Sequence, residues 1–114
     1  MRNLREKLDR RHALSGWTCE RCGADSTEIA HGISKGKHGR KSVRILWEIL
    51  FGETLTESQL DNIIHHDLNT YASCHNCNDY FNMHISHSEE ITNKLKEIYE
   101  AINREATGNI QLDN

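Results

Sequence analysis

The sequence predicts a small α+β domain closed by a bound metal, on three observations. Two Cys-x-x-Cys pairs stand at Cys19/Cys22 and Cys74/Cys77. A short strand-like run lies beside each pair, and helical apolar stripes fill most of the rest. Apolar material is scarce: 36% of the 114 residues are hydrophobic and 6% aromatic, against about 45–50% apolar in an ordinary domain. So thin a core calls for a further source of stability, which a metal cross-link supplies. The length suits one domain, 1–114, with its core at about 17–84.

The elements follow in order. Helix 3–14 carries Leu4 and Leu8 among Arg2, Arg5, Lys7, Arg10 and Arg11, and Gly16 ends it. Trp17 to Gly23 is a tight turn bearing the first cysteine pair. Thr27 to His31 is a short strand running into a glycine- and lysine-rich loop, Gly32 to Arg40. A helical insert, 41–66, comes next. Val43, Leu46, Trp47 and Leu50 recur at i, i+3, i+4 and i+7 until Gly52 stops that helix. Thr56-x-x-Gln59 is a capping-box pattern ahead of Leu60, Ile63 and Ile64, and this second helix ends near His65-His66. Thr70 to Ser73 is another short strand. After the second cysteine pair, a turn of helix carries Asn78, Asp79, Phe81 and Asn82. Ser86-x-x-Glu89 caps the last helix, 87–106, whose stripe is Ile91, Leu95, Ile98, Tyr99 and Ile102; the tail beyond Gly108 is expected to fray. Trp17 and Trp47 are assigned to the core with the aliphatic stripes.

Two residues between cysteines let both thiolates of a pair reach one ion, and two pairs complete a tetrahedral four-sulfur site. Cys19, Cys22, Cys74 and Cys77 are therefore the expected ligands of a structural zinc, with iron the redox-active competitor. Disulfides suit the chain poorly, because Met1 to Arg11 is charged and has no apolar signal segment, which predicts a cytoplasmic protein. No apolar run approaches the roughly 20 residues of a membrane span. Between Cys22 and Cys74 lie 51 residues, far more than the roughly 15–20 of a simple zinc ribbon. That interval holds His31, the basic loop and Asn69.

The net charge of −3 hides an asymmetry. Residues 1–44 carry eleven Lys/Arg and five Asp/Glu, residues 45–114 three and twelve. The basic half permits a polyanionic partner and the acidic half a protein partner; alternatively, two solvated surfaces partly neutralise one another.

In order and spacing these pieces resemble the HNH (ββα-metal, His-Me finger) endonuclease family, in its branch with a four-cysteine zinc. The family pattern is a first CxxC, a His near the end of a strand, a basic Gly-containing loop, and an Asn a few residues before a second CxxC followed by His or Asn. Here those pieces are Cys19 to Cys22, His31, the loop Lys35-Gly-Lys37-His38-Gly-Arg40-Lys41, Asn69, and Cys74 to Cys77 followed by Asn78. The resemblance covers about residues 17–84. It implies a DNA endonuclease in which His31 is the general base and Asn69 holds the His loop through amide hydrogen bonds. Asn78 would help bind a catalytic Mg²⁺ or Mn²⁺ distinct from the zinc. Lys35, Lys37, His38, Arg40 and Lys41 would contact phosphates without reading sequence.

One position departs from the pattern. Members usually place a metal-ligating Asp or His immediately before the catalytic His, and here that residue is Ala30. His65 and His66 are the substitutes in reach; His66 lies three residues before Asn69 and is the candidate metal ligand. In the alternative register His31 is the ligand and His66 the base. Two other classes stay open: a zinc-stabilised nucleic-acid-binding module with weakened catalysis, and an interaction protein whose acidic C-terminal half meets a protein partner. Taken singly, His31 reads as a satisfied buried histidine, Asn69 and Asn78 as turn residues, and His65-His66 as a helix-end pair.

Overall fold

The computed structural model describes residues 4–83 and 88–111. Among these, α1 (Leu4–Leu14), β1 (Glu28–His31), α2 (Lys37–Phe51), α3 (Glu57–Ile64), β2 (Thr70–Ser73) and α4 (Ser88–Gln111) follow in chain order, with 3-10 turns at Asp67–Asn69 and His75–Phe81. The class is small α+β. The strands pair antiparallel, Glu28 opposite Ser73 and His31 opposite Thr70. The hydrophobic core lies beside this sheet: Val43 and Trp47 of α2, Leu60, Ile63 and Ile64 of α3, and Ile91, Leu95 and Ile98 of α4 close on one another, with Ile33 tucked in from the segment after β1. His31 thus ends a strand at the junction between sheet and helical core.

Local chemistry sets the helix ends. Gly52 takes the left-handed conformation (φ 67°) and donates its N–H to Glu48 O, closing α2. Thr56 and Gln59 form the reciprocal capping box that opens α3, at 3.1 and 2.9 Å.

Several expectations are corrected. The loop after β1 is shorter than Gly32 to Arg40, since α2 begins at Lys37. Gly39 makes this possible: a Cβ there would sit 2.0 Å from the Ser34 carbonyl oxygen, so only glycine lets the first turn of α2 press onto that segment. α4 continues through Gly108 to Gln111, because an interior glycine weakens a helix by about 1 kcal/mol without ending it. Trp17 is not core but 49% exposed. Gly16 and Trp17 both take positive φ after α1, and the indole lies outside, stacked on His12 at 4.9 Å. The expected cap at Ser86 lies outside the described residues.

The oppositely charged halves of the chain meet within the molecule. Arg10 pairs with Asp67 at 2.6 Å, Arg40 with Glu57 and Asp61 at 2.9 and 2.8 Å, and Arg44 with Glu57. No helix among the described residues is long and apolar enough to cross a membrane.

Candidate functional site

The four cysteine sulfurs converge, all within 4.8 Å of one another. None is in a disulfide, and Cys22 Sγ lies 3.7 Å from Cys74 Sγ. A tetrahedral zinc with Zn–S near 2.3 Å sets sulfurs about 3.8 Å apart, so the donor set fits a metal such as zinc. The first knuckle is shaped by Gly23 (φ 81°), whose N–H donates to Cys19 O at 2.9 Å. It is sewn to β2 by Glu20 N–H to Ala72 O, at 2.9 Å. Burial works to raise the Cys19 thiol, but backbone donors at Cys22, Cys74 and Arg21 outweigh it and bring it down to about 6. Cys77 is pushed up to about 11: the Arg21 hydrogen bond favours its thiolate, yet burial and the three neighbouring cysteines prevail. Four thiols this close do not all ionise without a cation among them. Arg21 also lies 4.1 Å over the Tyr80 ring while donating to Cys77 Sγ at 3.6 Å.

Asn69 organises the second centre. Its fully buried carboxamide accepts from Ile33 N–H at 2.7 Å and donates to Ile33 O and Ile64 O at 3.1 and 2.8 Å. Its backbone oxygen accepts from Gly32 N–H at 2.9 Å. The two residues after His31 are thereby fastened to the end of α3, and His31 stands on a rigid support.

His31 Nε2 lies 3.0 Å from Nδ1 of His65, the C-cap residue of α3. Burial, then His65, then Lys35 lower the His31 pKa to about 4. His65 is lowered too, by burial first; Asp61 opposes this while Lys7, Lys35 and Arg40 add to it. Both rings are neutral near pH 7, and a neutral imidazole can accept a proton.

Two adjoining cavities of about 390 and 450 Å³ share Leu8, Ile29, His31 and His65 in their walls. The first also carries Lys7, Arg10, Arg11, Asn62 and His66, with Asp67 and Glu105 among them. The second carries oxygen donors, Glu28, Ser34, Asn78, Asp79 and Asn82, with Lys35 at its wall. His31 looks onto both.

The other expected site residues are placed as follows. Asn78 shares the second cavity with His31 and donates through Nδ2 to Glu28 Oε1 at 2.9 Å, leaving its carbonyl oxygen as the group it can offer an ion. His66 lines the first cavity, but its Nδ1 accepts from Leu68 N–H at 3.1 Å and its Nε2 faces Glu105 at 3.6 Å. The member of the histidine pair that reaches His31 is His65. Of the basic stretch, Lys35 stands by His31; Arg40 is engaged by Glu57 and Asp61; Lys37, His38 and Lys41 are exposed on the first turns of α2. Ala30 is buried on β1 opposite Tyr71. Sequence reasoning passed over Lys7, Glu28 and Asp79 at this groove. The adjacent His65-His66 pair was a visible signal, whereas nothing in the sequence placed α1 against β1.

Comparison of the chain with protein-family models, with curated proteins and with solved structures finds no match in any of the three, so the functional reading stands on the geometry of this site.

Proposed function

We propose that this protein is an HNH-type endonuclease, a metal-dependent hydrolase of DNA phosphodiester bonds built on a ββα-metal fold with a structural zinc. One observation carries the reading. A neutral, half-buried histidine ends β1 in the shared wall of two cavities, one holding Lys7, unpaired among the described residues, and the other lined by oxygen groups, its following loop clamped by a buried asparagine. A phosphodiester hydrolase needs these three things side by side: a base, positive charge for phosphate, and oxygen ligands for a cation.

His31 takes the proton of the water that attacks phosphorus as the P–O3′ bond breaks, and the leaving 3′ oxygen takes up a proton from solvent. Its pKa of about 4 rises when a phosphodiester anion arrives beside it, because a nearby negative charge favours the imidazolium. His65 holds the ring's orientation through the contact at Nε2. Asn69 positions His31 through the backbone. The Asn78 carbonyl with the Glu28 and Asp79 carboxylates would hold Mg²⁺ or Mn²⁺. Such an ion keeps several waters and takes substrate phosphate as a ligand, so the protein need not gather a full cage as it does with the cysteines. When bound, the ion supplies charge neutralisation at the phosphate.

A second reading rests on Ala30. The side chain before His31 is a buried methyl group, so one ligand of the usual set is missing, which favours a nucleic-acid-binding module with lost catalysis. Supercoiled plasmid incubated with purified protein and Mg²⁺ or Mn²⁺ separates the two. Nicking that requires the added Mg²⁺ or Mn²⁺, and that His31→Ala lacks, supports the endonuclease. DNA binding with no nicking supports the module.

A further inference from the structure

We propose that the cavity between α1 and the C-terminal end of α3 is a second phosphate subsite, seating the nucleic-acid backbone one step away from the scissile phosphate, with Lys7 as its cation. The inference rests on the endonuclease reading and adds to it a strand path: the backbone enters by Lys35, passes His31, and leaves over α1.

The arginines near the groove are already occupied. Arg10 is held by Asp67 at 2.6 Å. Arg11 lies buried, donating to Thr70 Oγ1 and Thr70 O at 3.0 and 2.6 Å and to Glu20 at 2.8 Å. Arg40 is engaged by two carboxylates on α3 and its N-terminus. Among the described residues Lys7 and Lys35 form no ion pair, so theirs are the charges available to an incoming anion. They stand in different cavities on either side of the His31–His65 contact.

Lys7 is also rigidly presented. Arg11, one helical turn along α1, ties that helix to the edge of β2 and to the first cysteine knuckle, so the helix cannot drift from the groove. Of the carboxylates in this cavity, Asp67 is paired with Arg10 and Glu105 lies 3.6 Å from His66 Nε2, so Lys7 is the cation here that no carboxylate among the described residues engages. Asn62 adds an amide that can hydrogen-bond phosphate oxygens. Lys7 is close enough to His65 to disfavour its protonation, which places the ammonium group on the His31–His65 side of the cavity.

The test measures binding of a labelled DNA duplex across a salt series, with no Mg²⁺ or Mn²⁺ added so that no cleavage occurs and the zinc stays in place, for wild type, Lys7→Ala, Lys7→Arg and the exposed α4 control Lys96→Ala. Circular dichroism confirms that each variant is folded. Lys7→Ala should weaken binding severalfold and flatten the slope of log K against log salt by about one; Lys7→Arg should restore both, and Lys96→Ala should match wild type. An unchanged slope and affinity in Lys7→Ala, with wild type still binding and nicking DNA, overturns the subsite and leaves the endonuclease standing. A slope that falls as expected, with no nicking by wild type, supports Lys7 as a phosphate contact but overturns the endonuclease and with it the subsite's place beside a scissile phosphate. Wild type that binds no DNA overturns both.

Discussion

His31 and His65 meet edge to face, ring centroids 5.0 Å apart, with Nε2 of the first 3.0 Å from Nδ1 of the second. One residue ends β1 and the other caps α3, so the contact joins the sheet to the helical insert. One proton between the two nitrogens makes a hydrogen bond; full protonation of both rings would set cation against cation, with Lys35 and Lys7 adding to the repulsion.

Stability should therefore depend on pH in a set direction. The folded His31 pKa is about 4, while an unfolded histidine titrates near 6.5. Between those values the unfolded chain binds more protons, so stability falls as pH drops through that window. Urea midpoints measured at pH 7 and pH 5 should decline, and the decline should be smaller in His31→Gln. An equal decline in the variant contradicts the assignment.

Asn69→Ala should be the most damaging single change near the site. It leaves Ile33 N–H, Ile33 O and Ile64 O without their partner in a fully buried place. Each such group costs about 1–3 kcal/mol, so the urea midpoint should fall by the equivalent of at least about 3 kcal/mol. Asn69→Asp keeps the acceptor for Ile33 N–H but sets a buried carboxylate oxygen against the Ile33 and Ile64 carbonyls, so it should not rescue the loss.

Metal removal is expected to unfold the knuckles. Elemental analysis should find about one zinc per chain, and a strong chelator or Cys22→Ser should lower the melting temperature, since metal affinity here doubles as folding energy. Metal-free protein with an unchanged melt overturns this.

Gly39→Ala places a Cβ 2.0 Å from backbone at Ser34, whereas Gly36→Ala meets only the Ser34 hydroxyl at 3.3 Å. The first should destabilise by about 1–3 kcal/mol and the second by much less, read from thermal unfolding.

Much of this was legible in the sequence because local chemistry decided it. The capping box at Thr56, the stop at Gly52, both strands and the four-cysteine convergence all follow from residues near one another or from metal-ligand spacing. What failed depended on backbone geometry that residue type does not announce, or on tertiary contacts. Gly39 reads as a loop residue until Ser34 is seen pressed against it. Trp17 reads as core because a large indole usually is, but the turn after α1 leaves it outside. The groove was half visible: His31, Asn69 and Asn78 announced themselves by spacing. Lys7 did not, because Arg11 docks α1 beside His31 through tertiary hydrogen bonds with no local signature.

The rate of DNA strand cleavage at pH 7 with saturating Mn²⁺, compared between wild type and a folded His31→Ala variant, bears most directly on the whole reading. A general base contributes roughly 10²–10⁴-fold, so the variant should be slower by that factor while binding DNA as tightly as wild type. Cleavage by His31→Ala at the wild-type rate would contradict the role given to His31, and a wild-type protein that binds DNA without cutting it would contradict the endonuclease.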